Sequence, residues 1–321
     1  MHHLLRQRRD ARFAGVFALL VLMVSLGGCA TTPSLSAEAA RSLPDRVFVE
    51  DVPFHGQREY QCGPASLAMA LAASGVDVAV DDLIPQVFLP GRQGSVQPEM
   101  LATVRRHGRI PFRLEGGFAG LLAELDAGRP VVVMQNLSLP WWPEWHYALA
   151  IGYDRPAEQI ILHSGMTPQR RTGFARFEAT WARSQRWGFS ALTPGKMPQH
   201  VDPDAALRAI SNFSEVQGPV AALPAWQALV ERHPEQAMAH FALGNARYAN
   251  GHVEAAIDAF REATDRNPGM GEAWLNLGLL LQAQGRDAAA QKALEKAADT
   301  SGPWQQRARQ ELKQRQKQRS T

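Results

Sequence analysis

The second half of the chain repeats every 34 residues, and this period constrains its fold more than any other feature. Pro234 and Pro268 are 34 residues apart, and a Leu-Gly pair at 243–244 returns at 277–278. A large apolar residue recurs with the same spacing at Trp226, Phe260 and Leu294. A unit of this length cannot bury its apolar face alone, so neighbouring units are predicted to stack as helical hairpins.

The 34-residue unit resembles the tetratricopeptide repeat, with small residues where two helices cross and a proline ending the second helix. We expect clear repeats at 237–270 and 271–304, within a helical region at 203–304. A degenerate repeat at 203–236 lacks the Leu-Gly pair, so its first helix is expected to be irregular. The resemblance implies a concave surface for a protein or peptide partner, and the alternative is a passive spacer or a stabilising cap.

The basic end of the chain, residues 305–321, is predicted to continue as a helix or tail. Two interpretations remain for it. It is either a polar cap on the last repeat, solvated at its end, or a contact for anionic lipid.

The first 28 residues have the pattern of an export signal. Basic residues precede a 14-residue apolar run from Phe13 to Leu26, which has the length of a signal peptide rather than of a membrane span. The Leu-Gly-Gly-Cys sequence at 26–29 resembles the lipobox of bacterial lipoproteins. This resemblance implies that Cys29 carries lipid, and Ala30 after it favours the outer membrane, facing the periplasm. The alternatives are an ordinary secretory signal and an uncleaved anchor.

The charge of the mature chain argues against a nucleic-acid partner. The whole sequence carries a formal charge of +3, but four of its 34 basic residues and one of its 31 acidic residues lie in the signal. The remainder is neutral, so no general basic surface for nucleic acid is expected. Residues 31–45 are rich in Ser, Thr, Pro and Ala, and we interpret 29–46 as a tether.

Cys62 is placed where a nucleophile would be. Cys29 and Cys62 are the two cysteines, so lipid on Cys29 would leave Cys62 without a disulfide partner in an oxidising compartment. Gly63 and Pro64 follow Cys62, and a helical stripe of apolar residues then runs up to Gly75. Cys62 is therefore predicted at a helix N-terminus, where the helix dipole favours the nucleophilic thiolate.

A nucleophilic thiol needs a base and a donor for the developing oxyanion. His146 opens the run H-Y-A-L-A-I-G-Y-D at 146–154, which reads as a buried strand, so His146 is the candidate base. Gln57 lies five residues before Cys62 and offers a side-chain amide as the candidate oxyanion donor.

The run Q-C-G-P-A-S-L-A-M-A at 61–70, with Gln57 and the His146 strand, resembles the peptidase C39 (double-glycine peptidase) family of papain-like cysteine peptidases. The resemblance covers about 47–195. It implies an α+β papain-like cysteine peptidase domain, followed here by the all-α repeats. It further implies that Cys62 is the nucleophile, His146 the general base and Gln57 the oxyanion donor.

The third catalytic position departs from the family pattern. The family usually has Asp or Asn on the strand after the histidine strand, but that strand reads I-I-L-H-S-G at 160–165. Ser164 falls at the expected place, with His163 beside it as the alternative orienting residue. A serine can accept the imidazole N–H, but it stabilises an imidazolium less than a carboxylate would.

Trp141, Trp142 and Trp145 crowd the segment before His146. They form either an apolar wall for an extended peptide substrate or a lid packed on the domain's own core. His55, His163 and His146 match no tight ligand spacing, so we expect no metal and no cofactor.

The rest of this region has the mixed pattern of an α+β domain, closed by a linker near 194–198. The predicted helices lie at 97–107, 118–127 and 176–181, and the predicted strands at 110–114, 131–135, 146–154, 160–165 and 189–192.

Three functions are consistent with these features. The leading hypothesis is an envelope cysteine peptidase that cleaves an exported protein or peptide, with the repeats recruiting substrate or a protein partner. The second is a weak or inactive peptidase-like binding scaffold of an envelope complex. The third is acyl transfer or amide hydrolysis on cell-wall peptides by the same Cys62 and His146.

Overall fold

A seven-stranded antiparallel sheet organises the first domain. The structure, a computed structural model, describes residues 33–57, 60–92 and 94–319. Its strands are β1 (Arg46–Phe48), β2 (Phe88–Leu89), β3 (Gly94–Ser95), β4 (Ile110–Arg113), β5 (Val131–Asn136), β6 (Trp145–Asp154), β7 (Gln159–Ser164), β8 (Thr167–Gly173) and β9 (Gly188–Leu192). The order in the sheet is β4-β9-β5-β6-β7-β8, and β1 pairs with the far end of β6. Strands β2 and β3 form a separate hairpin.

Helices cover both faces of this sheet. They are α1 (Ala37–Ser42), α2 (Cys62–Ala73), α3 (Val80–Val87), α4 (Gln97–Arg106), α5 (Gly117–Asp126) and α6 (Phe174–Ala182), with a 3-10 turn at Pro90–Arg92. Gly75 adopts a φ of +83° just past α2, a conformation that favours glycine and separates α2 from the following segment.

The apolar core is divided between the two faces. On one face, Leu67 of α2 packs with Tyr147 and Leu149 of β6. On the other face, Phe177 of α6 belongs to a core that includes Ala148 of β6. Successive residues of a strand point to opposite faces, so β6 contributes to both cores. Strand β5 is buried along its whole length, which explains the apolar run from Val131 to Met134.

The helices and strands that the sequence predicts are present, with bounds that differ by up to two residues at each end. Several elements have no counterpart in the prediction, among them strand β8 and helix α3. Strand β8 reads T-P-Q-R-R-T-G and is largely exposed at the sheet edge, so it has no apolar alternation to detect. Helix α3 contains Pro85, which weakens the helical pattern.

Part of the predicted tether is folded. Helix α1 begins after Ser36, whose hydroxyl accepts a hydrogen bond from the backbone N–H of Ala39. Leu43 is buried in the core that α5 and α6 form on the sheet, and Arg155 donates to the carbonyl of Ala40 at 2.8 Å. The two leucines of this segment, Leu35 and Leu43, therefore pack on the domain despite the Ser- and Ala-rich composition around them.

Between residue 203 and the last described residue, 319, the chain forms seven helices. They are α7 (Pro203–Gln217), α8 (Pro219–Arg232), α9 (Ala237–Ala249), α10 (Val253–Arg266), α11 (Gly271–Ala283), α12 (Asp287–Asp299) and α13 (Trp304–Arg319). The expectation of an irregular first helix in the degenerate repeat is wrong, because α7 is a regular helix of 15 residues. Its N-cap, Asp202, accepts hydrogen bonds from the backbone N–H groups of Asp204 and Ala205, which stabilises the start of the helix.

The first repeat packs on the edge of the sheet. Ile110 of β4 and Leu192 of β9 share an apolar cluster with Ile210 and Phe213 of α7. Gln217, at the end of α7, donates to the backbone carbonyl of Arg105 at 2.8 Å. The repeats are thus joined to the first domain by apolar contacts as well as by the linker.

At the other end, α13 covers the last repeat. Ala308 of α13 is buried, and Arg315 donates to the carboxylate of Asp287 at 2.6 Å. No helix within the described residues has the length and apolar character needed to cross a membrane.

Candidate active site

Cys62 is the first residue of α2 and is partly buried. The residues after it explain why the helix can begin there. Pro64 occupies the first turn, where its missing N–H breaks no hydrogen bond. A β-carbon at Gly63 would collide with the side chain of Ser95 on β3, so glycine lets the β2-β3 hairpin approach the cysteine.

The thiol group of Cys62 does not have the ionisation that its helix position alone predicts. Burial raises the pKa of the Cys62 thiol above its usual value. Hydrogen bonds from the backbone N–H groups of Tyr147, Gly63 and Cys62 itself lower the pKa, but by less than burial raises it. The expectation of a resting thiolate is therefore wrong, because desolvation outweighs the field of the helix N-terminus.

His146 lies near the start of β6, and its ring contacts the next strand of the sheet. The Nε2 atom is 2.9 Å from the hydroxyl oxygen of Ser164 at the end of β7. Among the described residues, Ser164 is the hydrogen-bond partner of the ring, which leaves Nδ1 for a proton from another group. Burial, together with the positive charge of Arg170, lowers the pKa of His146 to about 4.

Gln57 connects three parts of the site. Its Nε2 group donates to the hydroxyl of Ser66 on α2 at 3.1 Å and to the carbonyl of Tyr147 on β6 at 3.2 Å. Its Oε1 accepts the backbone N–H of Gly165 at 2.8 Å. Both amide protons are therefore engaged within the protein, in a residue that is itself buried.

His163, the alternative orienting residue, faces away from His146. Its Nε2 lies 3.3 Å from the carbonyl of Val52, and its Nδ1 accepts the backbone N–H of Gln169 at 3.2 Å. The ring also packs against Phe54 at 5.2 Å between centroids. Both ring nitrogens are thus occupied by backbone groups. The described residues contain no group of three His, Cys, Asp or Glu side chains arranged to hold a metal.

A cavity of about 920 Å³ brings the candidate residues together. Cys62, His146 and Gln57 all line it, as does Trp145. Nearby, Trp141 and Trp142 are not part of its lining and are 77% and 76% exposed, so they do not form a lid packed on the core.

Several other residues near the site could not be identified from the sequence. Ser95 and Gln97 line the cavity from the β2-β3 hairpin and the start of α4, and Arg170 adjoins His146 from β8. None of these residues lies in a motif or an apolar pattern. A signal for Arg170 would have required the pairing of β7 with β8, which the polar sequence of β8 does not reveal.

Family models assign the two parts of the chain. Residues 49–188 match the model of the Peptidase_C39 like family. Residues 207–270 and 241–303 match a tetratricopeptide repeat model. The chain thus has a first domain that resembles the C39-like peptidases, followed by tetratricopeptide repeats. Its fold is therefore mixed α+β, followed by a helical repeat region. The sequence interpretation of both parts is confirmed at the level of family and fold.

Solved structures show weaker likenesses. A Bacillus anthracis protein assigned to the C39-like peptidases is 17% identical, with a TM-score of 0.39, over 49% of this chain and 100% of that one. MamA is 26% identical, with a TM-score of 0.32, over 35% of this chain and 64% of its own length. YrrB, a repeat protein with an unusual peptide-binding site, is 24% identical, with a TM-score of 0.29, over 32% and 53%. No curated protein matches the chain.

Proposed function

We propose that the protein is a cysteine peptidase of the bacterial envelope that cleaves a peptide bond in an exported protein or peptide. One observation supports this proposal most strongly. A thiol at a helix N-terminus and an imidazole on a distant strand line the same cavity, and the hydroxyl of Ser164 lies 2.9 Å from Nε2 of that imidazole. This is the arrangement that nucleophilic catalysis by a cysteine needs.

The reaction begins from a neutral pair, because the thiol has a raised pKa and the imidazole a lowered one. His146 removes the thiol proton as the sulfur of Cys62 attacks the carbonyl carbon of the substrate. The negative charge on the carbonyl oxygen is held by backbone N–H donors at the start of α2. His146 then gives the proton to the leaving amine as the C–N bond breaks. Water, deprotonated by His146, hydrolyses the thioester and restores the thiol.

Gln57 is the proposed side-chain donor to the oxyanion. Both of its amide protons are engaged with Ser66 and Tyr147, so one of these hydrogen bonds must be exchanged for a bond to the substrate oxygen. The exchange becomes favourable as the carbonyl oxygen gains charge, because a charged acceptor binds an N–H more strongly than a neutral one.

Trp145 is the proposed apolar contact for the substrate, since it lines the cavity beside His146. Trp141 and Trp142 extend the apolar surface outside the cavity and would contact residues of a longer peptide. The repeats would recruit the substrate or a protein partner. The proposed lipid on Cys29, which lies outside the described residues, would hold the protein at the outer membrane, facing the periplasm.

A peptide probe with an electrophilic ketone in place of the scissile amide tests the proposal. The probe should label the lipidated full-length protein but not Cys62→Ser. His146→Ala should lower the labelling rate by about 10²-fold or more, which is the usual contribution of a general base. Wild type and His146→Ala should have the same circular-dichroism spectrum, so that misfolding does not account for the slower labelling. Equal labelling of these two proteins by the peptide probe would contradict the peptidase proposal.

A binding scaffold is the second candidate. It is favoured by the serine in place of a carboxylate and by the full engagement of the Gln57 amide. For a scaffold, the peptide without its electrophile should bind wild type and Cys62→Ser equally, and the electrophilic probe should react slowly and independently of His146.

A further inference from the structure

A second, small pocket of about 120 Å³ lies behind the pair formed by His146 and Ser164. Ser164 lines it from β7, Arg170 and Thr172 from β8, and Arg176 and Thr180 from α6. It is separate from the larger cavity that holds Cys62. The two pockets therefore meet at the hydrogen bond between the His146 ring and the Ser164 hydroxyl.

The sheet register explains how these side chains come together. Arg170 is paired with Leu162, two residues before Ser164, so Arg170 and Ser164 project from the same face. That face is covered by α6, which begins directly after β8 and supplies Arg176 and Thr180. The pocket thus depends on β8, the strand that has no apolar pattern.

The pocket carries positive charge without a compensating acid. Arg170 and Arg176 have no hydrogen bond or ion pair from their guanidinium groups to any described residue, and no Asp or Glu lines the pocket. Nearby, Glu178 is paired with Arg186. Two unpaired guanidinium groups, with the hydroxyl of Thr172, offer a charge and donor set that suits an oxyanion. The hydroxyl of Thr180 is not part of this set, because it donates to the carbonyl of Phe177 at 2.9 Å.

The Ser164 hydroxyl is oriented to link such an anion to the imidazole. When His146 carries its proton on Nε2, the Ser164 oxygen accepts that proton at 2.9 Å. The hydroxyl proton of Ser164 is then available to the pocket, since the described residues give it no other acceptor. An anion accepting this proton would make the Ser164 oxygen a stronger acceptor for His146.

We propose that this pocket binds a small oxyanion of the size of sulfate or phosphate, held by Arg170, Arg176 and the Ser164 hydroxyl. The bound anion supplies the negative charge that the sequence lacks at the third catalytic position. It offsets the repulsion between Arg170 and the imidazolium, and it stabilises that imidazolium through Ser164. The importance for catalysis rests on the proposed peptidase function, whereas the binding of the anion does not.

The experiment measures the pKa of His146 by NMR in the full chain, in sodium sulfate and in sodium gluconate at equal ionic strength. Sulfate keeps its charge over the range in which His146 titrates, and gluconate is too large for the pocket. The other ionisable groups lining the two pockets are Tyr60, Cys62, Glu144, Tyr147, Arg170 and Arg176. The His146 resonance is assigned with His146→Gln. We expect sulfate to raise the pKa of His146 by about one pH unit.

Variants identify the pocket as the binding site. Arg176→Gln should raise the sulfate concentration that gives half of the pKa shift by about tenfold, because a charge-assisted hydrogen bond to the anion is lost. Arg170→Gln should raise the pKa of His146 without sulfate and reduce its response to sulfate. Arg171→Gln is the matched control, because Arg171 is the next residue on β8 and pairs with Ile161 rather than with Leu162. It should respond to sulfate like wild type.

Three results would overturn the proposal. The first is a pKa of His146 that is the same in sulfate and gluconate. The second is an equal loss of the response in Arg171→Gln and Arg176→Gln. The third is an unchanged response in Arg176→Gln and Arg170→Gln. Because the readout needs no substrate, a failed peptidase assay with a normal sulfate response would contradict the proposed function and leave the anion site standing.

Discussion

At the N-terminus of α2, the sulfur of Cys62 accepts hydrogen bonds from backbone N–H groups and still has a raised pKa. The imidazole of His146 shows the complementary effect, since burial and Arg170 lower its pKa to about 4. At the scale of single residues, desolvation thus favours the neutral form of both groups. In the proposed reaction, the proton therefore moves from Cys62 to His146 only as the sulfur attacks the substrate carbonyl.

The lowered pKa of His146 predicts a specific pH dependence of stability. The folded protein favours the neutral ring, so the unfolded chain binds more protons between the ordinary pKa of 6.5 and the folded value of about 4. Stability from this group is present above pH 6.5 and is lost as the pH falls through this window. Between pH 7 and pH 4, the free energy of unfolding measured in urea should fall less in His146→Gln than in wild type. The difference should be up to about 3 kcal/mol. An identical loss in both proteins would show that His146 is not held neutral.

The side-chain amide of Gln57 connects two elements, because it donates hydrogen bonds to both α2 and β6. Gln57→Ala should lower the free energy of unfolding by about 1–3 kcal/mol, since Ser66 and the Tyr147 carbonyl lose a buried donor. It should also slow labelling by the electrophilic peptide. Gln61→Ala is the control, because Gln61 caps the start of α2 without a side-chain hydrogen bond. Equal unfolding midpoints for the two variants in urea would contradict this role.

At the scale of elements, close approach between helices in the repeats depends on glycine. A β-carbon at Gly244 in α9 would lie 2.6 Å from the Phe260 ring in α10. The equivalent position in the next repeat, Gly278 in α11, would place a β-carbon 2.8 Å from Leu294 in α12. The Leu-Gly pairs that reveal the repeat in the sequence therefore mark the points where paired helices touch.

Gly244→Ala should consequently destabilise the repeats. The added methyl group must displace Phe260 or separate the two helices, which costs about 1–3 kcal/mol in a well-packed core. Gly91→Ala is the control, because a β-carbon there meets no atom within 4 Å. The stability of both variants is measured by thermal unfolding, monitored by circular dichroism at a wavelength that reports helix. Equal unfolding midpoints for Gly244→Ala and Gly91→Ala would contradict the close contact between α9 and α10 at Gly244.

At the scale of the whole molecule, the repeats are attached to the peptidase-like domain by a shared apolar cluster. Phe213 of α7 is buried in this cluster with Ile110 of β4 and Leu192 of β9. The edge of the sheet formed by β4 is therefore covered by a helix rather than exposed. This interface sets the position of the repeats relative to the cavity.

Phe213→Ala should weaken both parts of the molecule together. Removal of this buried ring costs about 3–5 kcal/mol, and it uncovers β4 as well as α7. Hydrogen exchange in β4 and β9 should accelerate in this variant. Leu294→Ala, in the core that α11, α12 and α13 share, should accelerate exchange in these three helices and leave β4 and β9 unchanged. Unchanged exchange in β4 for Phe213→Ala would show that the two parts are uncoupled.

Most of the fold could be predicted from the sequence, because its elements carry periodic apolar patterns. The 34-residue period predicts the stacked hairpins, and the run before Gly75 predicts the helix that Cys62 begins. Strand β8 could not be predicted, since an exposed edge strand has no buried face to impose alternation. The packing of Leu43 within the supposed tether could not be predicted either, because the composition of a segment does not identify single buried residues.

The sequence by itself determined the two kinds of domain, the order of Cys62 and His146 and the absence of an acid at position 164. Only the tertiary structure decided the ionisation of this pair, because a pKa depends on burial, and burial is set by elements far apart in the chain. The tertiary structure likewise placed Arg170 and Arg176 behind Ser164. Strand pairing and helix packing bring their charges together, and neither leaves a local pattern in the sequence.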